Sequence, residues 1–272
     1  MTATTALTAQ NTEGVSAIHR IPSDFVLKQI DACISDIGVD VVKIGMLASA
    51  ETVNAVADAL RRHGSPLIVL DPVMVSTSGA QLLPDDAVLN LRTQLLPMTT
   101  ILTPNIPEAR LLLKDAGLEA PEIRSLDDIV NIARTLQSLG PQYVLVKGGH
   151  LPLTKAGRIS TQDAEHHTVV DVLHDGHQAR VYETGYRSSK NTHGTGCSLA
   201  CERCLILCFY PRPSSFPYPS SPTLHSSCQC PWQGTQLYAL PHRSSLSLPS
   251  IYITNPSASP PQPSQPPIIH NL

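Results

Sequence analysis

The stretch Asn191-Thr192-His193-Gly194-Thr195-Gly196-Cys197 holds the densest chemistry in this 272-residue chain. Ser198-Leu199-Ala200 follows and begins like a helix. A Gly-Thr-Gly turn opening a helix aims several backbone N–H groups at one point. The first N–H groups of a helix lack internal partners and lie at the positive end of its dipole. Gly194, Thr195 and Gly196 therefore suit an anion, and a phosphoryl group in transfer needs such a cradle. Cys197, on the first turn, would have its thiolate favoured by the same field. The same residues also fit a glycine-bearing turn with a small buried cysteine. His193 fits a packing neighbour of the turn.

Further candidates stand at the ends of apolar runs. Asp71 ends Pro66-Leu67-Ile68-Val69-Leu70, where a buried carboxylate is costly without a partner. A Mg²⁺ shell or a hydrogen-bonded loop would each answer that cost. Lys147 ends Gln142-Tyr143-Val144-Leu145-Val146 and could meet a phosphate as a point charge or reach solvent along its stem. Met46 and Val73 follow strand ends and offer apolar walls for a flat ring, or ordinary core. Gln10 carries an amide that can donate to a ring nitrogen and accept from an exocyclic amine; water is the plainer partner. Asn105-x-x-Glu108 before a helix has the spacing of a capping box. Cys201, Cys204, Cys208, Cys228 and Cys230 include a C-x-x-C, but their spacing matches no standard paired zinc set.

The elements that must position these groups alternate. Residues 2–12 are expected as a strand with a loop at its end, and a helix starts at Pro22-Ser23-Asp24. Val39 to Gly45 is a β-branched run, hence a strand. Ser49 to His63 reads as a helix with Ser49 as N-cap and Gly64 beyond its end. Pro66 to Asp71 is a strand buried on both faces. Asp85 to Leu95 is a helix, Thr99 to Thr103 a strand, and Ile106 to Asp115 and Ser125 to Leu139 are helices. Gln142 to Lys147 is another buried strand, and residues 165–183 alternate weakly, as in an antiparallel pair at an edge. This order implies an α/β fold, a mostly parallel sheet with helices on both faces. Ligands of such sheets sit at the carboxyl ends of the strands, the edge shared by Asp71, Asn105, Lys147 and the Gly194 turn.

Composition narrows the classes. The net charge of -3 argues against a phosphate-backbone binder. No apolar run reaches membrane-spanning length, and residues 1–20 lack the pattern of a signal peptide. A cytoplasmic setting with reduced cysteines is expected; the seven cysteines are an odd count, and five follow Ser198. Fourteen of the 24 prolines follow Tyr210, and no Asp or Glu follows Glu202. The expectation is a globular domain over residues 1–200 and a Pro/Ser-rich, disordered tail over 201–272.

Taken together, the strand-end sequences resemble the hydroxymethylpyrimidine kinase / phosphomethylpyrimidine kinase family, of ribokinase-like fold. The matching stretches are Thr5 to Thr12, Lys43-Ile44-Gly45-Met46-Leu47, Leu70-Asp71-Pro72-Val73-Met74, Thr103 to Ala109, Val146-Lys147-Gly148-Gly149-His150 and Asn191 to Cys197. The resemblance implies phosphorylation of 4-amino-5-hydroxymethyl-2-methylpyrimidine, then of its monophosphate, with ATP as donor and Mg²⁺. It assigns pyrimidine binding to Gln10, and Mg²⁺ and phosphate placement to Asn105 and Glu108, alongside Asp71 and Lys147. The anion hole falls to Gly194, Thr195 and Gly196 and the catalytic position to Cys197. Relatives acting on pyridoxal usually carry aspartate there, so Cys197 points to the pyrimidine branch. Family members are often dimers.

Two departures stand beside the resemblance. The chain starts at what corresponds to the family's second strand, so an unpaired sheet edge or an apolar gap is expected. After Ala200 the family's small-residue helix gives way to non-homologous sequence, as a retained intron or a frameshift would produce. A non-catalytic remnant and a pyridoxal-type kinase are the alternatives to a working pyrimidine kinase.

Overall fold

The computed structural model describes residues 1–11, 14–64, 66–75, 81–149, 154, 159, 168–186 and 250–254. The anion-hole stretch 191–197, the cysteines after it and most of the 201–272 tail lie outside those residues. Two short strands open the chain, β1 (Thr2–Thr4) and β2 (Ala6–Gln10), followed by β3 (Val15–Arg20) and helix α1 (Ser23–Ile37). The core alternates β4 (Val41–Ile44), α2 (Ala50–Arg62), β5 (Leu67–Leu70), α3 (Asp85–Asn90), β6 (Ile101–Leu102), α4 (Ile106–Asp115), α5 (Leu126–Gln137) and β7 (Tyr143–Lys147). Then come β8 (Thr168–His174), β9 (Ala179–Gly185) and β10 (Ser250–Thr254).

Eight strands form one sheet in the order β1-β10-β4-β5-β6-β7-β8-β9. The four central strands, β4 to β7, are parallel, and the flanking pairs are antiparallel. The expected edge pair is β8–β9. The register splits the sheet into two faces. Val42, Ile44, Ile68, Leu70, Leu102, Val144 and Val146 join buried residues of all five helices in the main core. Val41, Val69 and Ile101 form a smaller cluster on the other face, with Leu67 and Tyr143 against it. Helices are expected on both faces; among the described residues all five pack on the first face.

The helices follow from their ends. Ser49 caps α2 by accepting the Thr52 N–H at 3.2 Å, and Gly64 takes φ +84° past its end. Asn105 with Glu108, and Ser125 with Asp128, form capping boxes at α4 and α5. The expected helix over Asp85 to Leu95 keeps α geometry only to Asn90; Leu91–Leu95 widens to a π turn and Leu96–Met98 tightens to a 3₁₀ turn. Pro97 lacks an N–H, so the regular ladder cannot continue through it.

Two expectations change. The strand expected over 2–12 breaks at Thr5, whose hydroxyl donates to the Met46 carbonyl at 2.6 Å. The following residues turn back as a β2–β3 ribbon outside the main sheet. Disorder was expected throughout 201–272, yet Ser250–Thr254 is a strand lying between β1 and β4. An unpaired sheet edge or an apolar gap is expected, and β4 instead has β10 on one side and β5 on the other. Ile251, Tyr252 and Ile253 have the β-branched and aromatic character that pairs well in a ladder.

Candidate active site

The carboxyl ends of the parallel strands converge on Asp71, which is 1% exposed. It follows β5 directly, and its N–H donates to the Ile44 carbonyl at 2.9 Å. The Lys147 ammonium, at the end of β7, donates to Asp71 Oδ1 at 2.8 Å. The Thr103 hydroxyl reaches the same oxygen at 3.4 Å. On the other side, Lys43 Nζ lies 3.9 Å from Asp71 Oδ2, and both side chains are 2% exposed. Strand alternation explains the trio: Lys43, Asp71 and Lys147 all fall on the sheet face opposite the main core.

The α4 N-terminus closes the site from above. Asn105 pairs with Lys147 as an isolated parallel bridge, and the Lys147 N–H donates to the Pro104 carbonyl at 2.8 Å. Asn105 Oδ1 accepts the Glu108 N–H, and Glu108 Oε2 accepts the Asn105 N–H, both at 2.9 Å. Glu108 is buried, and its pKa is raised to about 7. Desolvation is the main cause and the Asp71 charge adds to it, while Lys147 and the N–H groups of Asn105 and Met74 offset part of the rise. With Glu108 protonated, two lysines face one aspartate, a net positive pocket suited to an anion.

Met46 and Val73 come together in one apolar cluster. Met46, Ala6, Ala48 and Leu82 form a buried apolar cluster, with Val15 and Val73 packed on it. Tight turns put them there. The Ser49 N–H donates to the Leu47 carbonyl around Ala48, a non-glycine residue at φ +66°. The Val73 N–H donates to the Asp71 carbonyl around Pro72. A cleft of about 310 Å³ opens beside this cluster, lined by Val15–Ile18, Gln81 and Leu82. Gln10 is exposed at the end of β2, four residues along the strand from Ala6.

The structure thus joins Asp71, Asn105, Glu108 and Lys147 into one polar cluster, with Met46 and Val73 in an apolar one. Gln10 stands apart on the ribbon, and Gly194, Thr195, Gly196 and Cys197 lie outside the described residues. Sequence reasoning missed Lys43 as a member of the cluster. Its signal was a lysine inside the β-branched run Val39 to Ile44, where exposure on either face of a central strand is denied.

Carboxylate oxygens of Asp71 and Glu108 suit a hard divalent cation. Among the described residues no group of three or more His, Cys, Asp or Glu side chains is placed to hold a metal. That set fits Mg²⁺ held by one or two carboxylates plus phosphate oxygens, its usual mode in phosphotransfer sites. No helix among the described residues is long and apolar enough to cross a membrane.

A family model described as phosphomethylpyrimidine kinase matches residues 1–204. The chain belongs to the phosphomethylpyrimidine kinase family. A relative in Salmonella typhimurium, hydroxymethylpyrimidine/phosphomethylpyrimidine kinase, is 41% identical over 196 residues, covering 72% of this chain and 67% of that protein. The thiamine biosynthesis bifunctional protein ThiED of Geobacter sulfurreducens is 44% identical over 196 residues, 72% of this chain. The chain spans about a third, 36%, of that protein and of a Schizosaccharomyces pombe relative. Among solved structures, the phosphomethylpyrimidine kinase of Clostridium difficile 630 superposes with a TM-score of 0.58 at 31% identity, over 76% of this chain and 77% of the other. An ADP complex of Bacillus subtilis pyridoxal kinase gives 0.61 at 30% identity, over 74% and 69%. These kinases share the ribokinase-like α/β fold described above.

Proposed function

We propose that this chain transfers the γ-phosphoryl group of ATP to the hydroxymethyl group of 4-amino-5-hydroxymethyl-2-methylpyrimidine, and then to the resulting monophosphate. The observation that carries this reading is the Lys43–Asp71–Lys147 cluster beside Glu108, at the carboxyl ends of β4, β5 and β7. Lys147 leaves Asp71 to meet a phosphate oxygen, and Lys43 stays to balance the Asp71 carboxylate. Asp71 and Glu108 would hold Mg²⁺, which when bound neutralises charge on the transferred group. The backbone N–H groups of Gly194, Thr195 and Gly196 cradle the phosphoryl oxygens. Cys197 takes the hydroxyl proton as the substrate oxygen bonds to phosphorus and ADP departs. Met46 and Val73 wall the pyrimidine ring, and Gln10 pairs with its polar edge. A reducing cytoplasm would keep the Cys197 thiol available, and a homodimer is the proposed assembly.

Support comes from the family match and from relatives named for this substrate pair. The deciding test is ADP release by the purified chain with Mg-ATP, comparing the pyrimidine with pyridoxal and with no acceptor. Pyrimidine-dependent turnover supports the reading; pyridoxal-dependent turnover reassigns the substrate. Pyrimidine binding without turnover would make the chain a non-catalytic relative. Cys197→Ala is expected to lower kcat by about 10²–10⁴-fold, the usual cost of a lost general base. A variant keeping more than about a tenth of the rate would remove the base role.

A further inference from the structure

The sheet has one neighbour relation that chain order does not suggest. β1 and β4 do not pair with each other; β10 lies between them, antiparallel to both. Its register is continuous on each side. Thr2, Ala3 and Thr4 face Tyr252, Ile251 and Ser250, and Val41, Val42 and Lys43 face Thr254, Ile253 and Tyr252.

The space that β10 occupies is interior. All four residues of β4 are buried, and Ala3 of β1 is 0% exposed. β1 is fastened independently of β10. The Thr4 N–H donates to Gln29 Oε1 at 2.9 Å, and Gln29 Nε2 donates back to the Thr4 carbonyl at 3.0 Å. Helix α1 therefore holds β1 through contacts that do not involve β10. Backbone N–H and C=O groups of a buried strand need partners, each unpaired group costing about 1–3 kcal/mol. A gap beside such a strand, with β1 on its far side, is a ready acceptor for an extended segment.

The segment that fills it has the matching chemistry. Ser250-Ile251-Tyr252-Ile253-Thr254 is uncharged and rich in β-branched residues. No Lys, Arg, Asp or Glu occurs after Arg243, so no charge must be buried with it. Pro249 and Pro256 bracket it, and proline ends a ladder by withholding its N–H. The register sets Ile251 and Ile253 opposite Ala3 and Val42, two residues of the main core.

We propose that the slot between β1 and β4 is a strand-acceptor site whose occupant is the chain's own segment Ser250–Thr254. The sequence beyond the family match is then a structural part of the sheet, and it completes the strand, β4, that presents Lys43 to Asp71.

A cross-link tests this in the full-length chain. Thr4→Cys with Ser250→Cys places two cysteines directly opposite on antiparallel strands, within disulfide reach. Trypsin releases residues 1–20 and 244–272, neither of which holds a native cysteine. The expected result is a disulfide joining those two peptides within one chain, at least about tenfold more abundant than in the out-of-register pair Thr4→Cys with Thr254→Cys. Equal yields from the two pairs, or a link only between chains, would overturn the proposal. A second measurement uses Ile251→Pro with Ile253→Pro. Hydrogen exchange at residues 2–4 and 41–44 should quicken by at least about tenfold, and an added peptide of residues 247–257 should restore it. Unchanged exchange in that variant would also overturn the proposal.

Discussion

At the scale of single residues, the site is governed by how two lysines share one buried aspartate. Lys43 and Asp71 are almost wholly withdrawn from solvent, whereas Lys147 is 13% exposed. Removing one partner of a buried ion pair leaves an uncompensated charge, at about 3–5 kcal/mol. Lys43→Met leaves Asp71 with Lys147, so a loss near 3 kcal/mol in urea unfolding is expected, at the lower end of that range. Lys147→Met should cost less stability and more activity, with a raised KM for ATP, because its ammonium is the one that can move to a phosphate. A Lys43→Met chain as stable as wild type would show that the pair is not compensating charge. Glu108 gives a pH signature. Its folded pKa of about 7 lies above the ordinary 4.5, so the folded state holds the extra proton between those values. Folding stability should therefore fall as pH rises from 4.5 to 7. The full effect is about 3 kcal/mol at 1.36 kcal/mol per unit. Glu108→Gln keeps an oxygen for the Asn105 N–H and removes the titration. In metal-free buffer its urea midpoint should be flatter across this range than that of wild type; equal slopes would assign the pH dependence elsewhere.

At the scale of elements, the α4 N-terminus does two jobs that substitution can separate. Asn105 caps the helix and also borders Lys147. Asn105→Ala should cost about 1 kcal/mol as a lost cap, and Asn105→Ser should restore most of it. If kcat/KM stays low in the serine variant while thermal stability recovers, the amide itself serves the ligand. Gly148 is a steric case: a methyl group there would collide with the Val170 carbonyl, while its N–H donates to Asp171 Oδ1 at 3.0 Å. The neighbouring elements show what sequence could reveal. The Ser49, Asn105 and Ser125 caps and the apolar runs at Val41, Leu67 and Tyr143 carried α2, α4, α5 and the central strands in local chemistry alone. The β2–β3 ribbon had no such signal, because Val15–Arg20 is mostly exposed and needs no alternation. Lys43 had a signal, a lysine inside a β-branched run, but only the register shows that its partner is Asp71. β10 was masked by its Pro/Ser-rich surroundings, and the φ of Ala48 has no residue-type signature at all.

At the scale of the whole molecule, stability is unevenly distributed, and the proposed ligand contacts follow that unevenness. The central strands β4 to β7 sit between a large core and a smaller cluster on their two faces. The β2–β3 ribbon pairs only with itself, and it meets the rest chiefly through Ala6 and Val15 on the Met46 cluster. A ladder with exposed hydrogen bonds and few buried apolar contacts opens at low free energy, while core strands exchange only through larger openings. Amides of Leu7–Gln10 and Ser16–Ile18 should therefore exchange far faster than those of Ile68–Leu70. The two proposed ligands ought to act on different parts of this gradient. Mg-ATP, held at Asp71, Glu108 and Lys147, should slow exchange at the ends of β5 and β7 and leave the ribbon unchanged. The pyrimidine, held between Gln10 and the Met46–Val73 wall, should slow the ribbon. At a hundredfold excess over Kd, binding stabilises the bound form by about 2.7 kcal/mol, a slowing of about a hundredfold for openings that release the ligand. Gln10→Ala should abolish the ribbon's protection by pyrimidine while Mg-ATP still protects β5 and β7. If pyrimidine protects the ribbon equally in the Gln10→Ala chain, the glutamine faces water and the ring is held by the apolar wall alone.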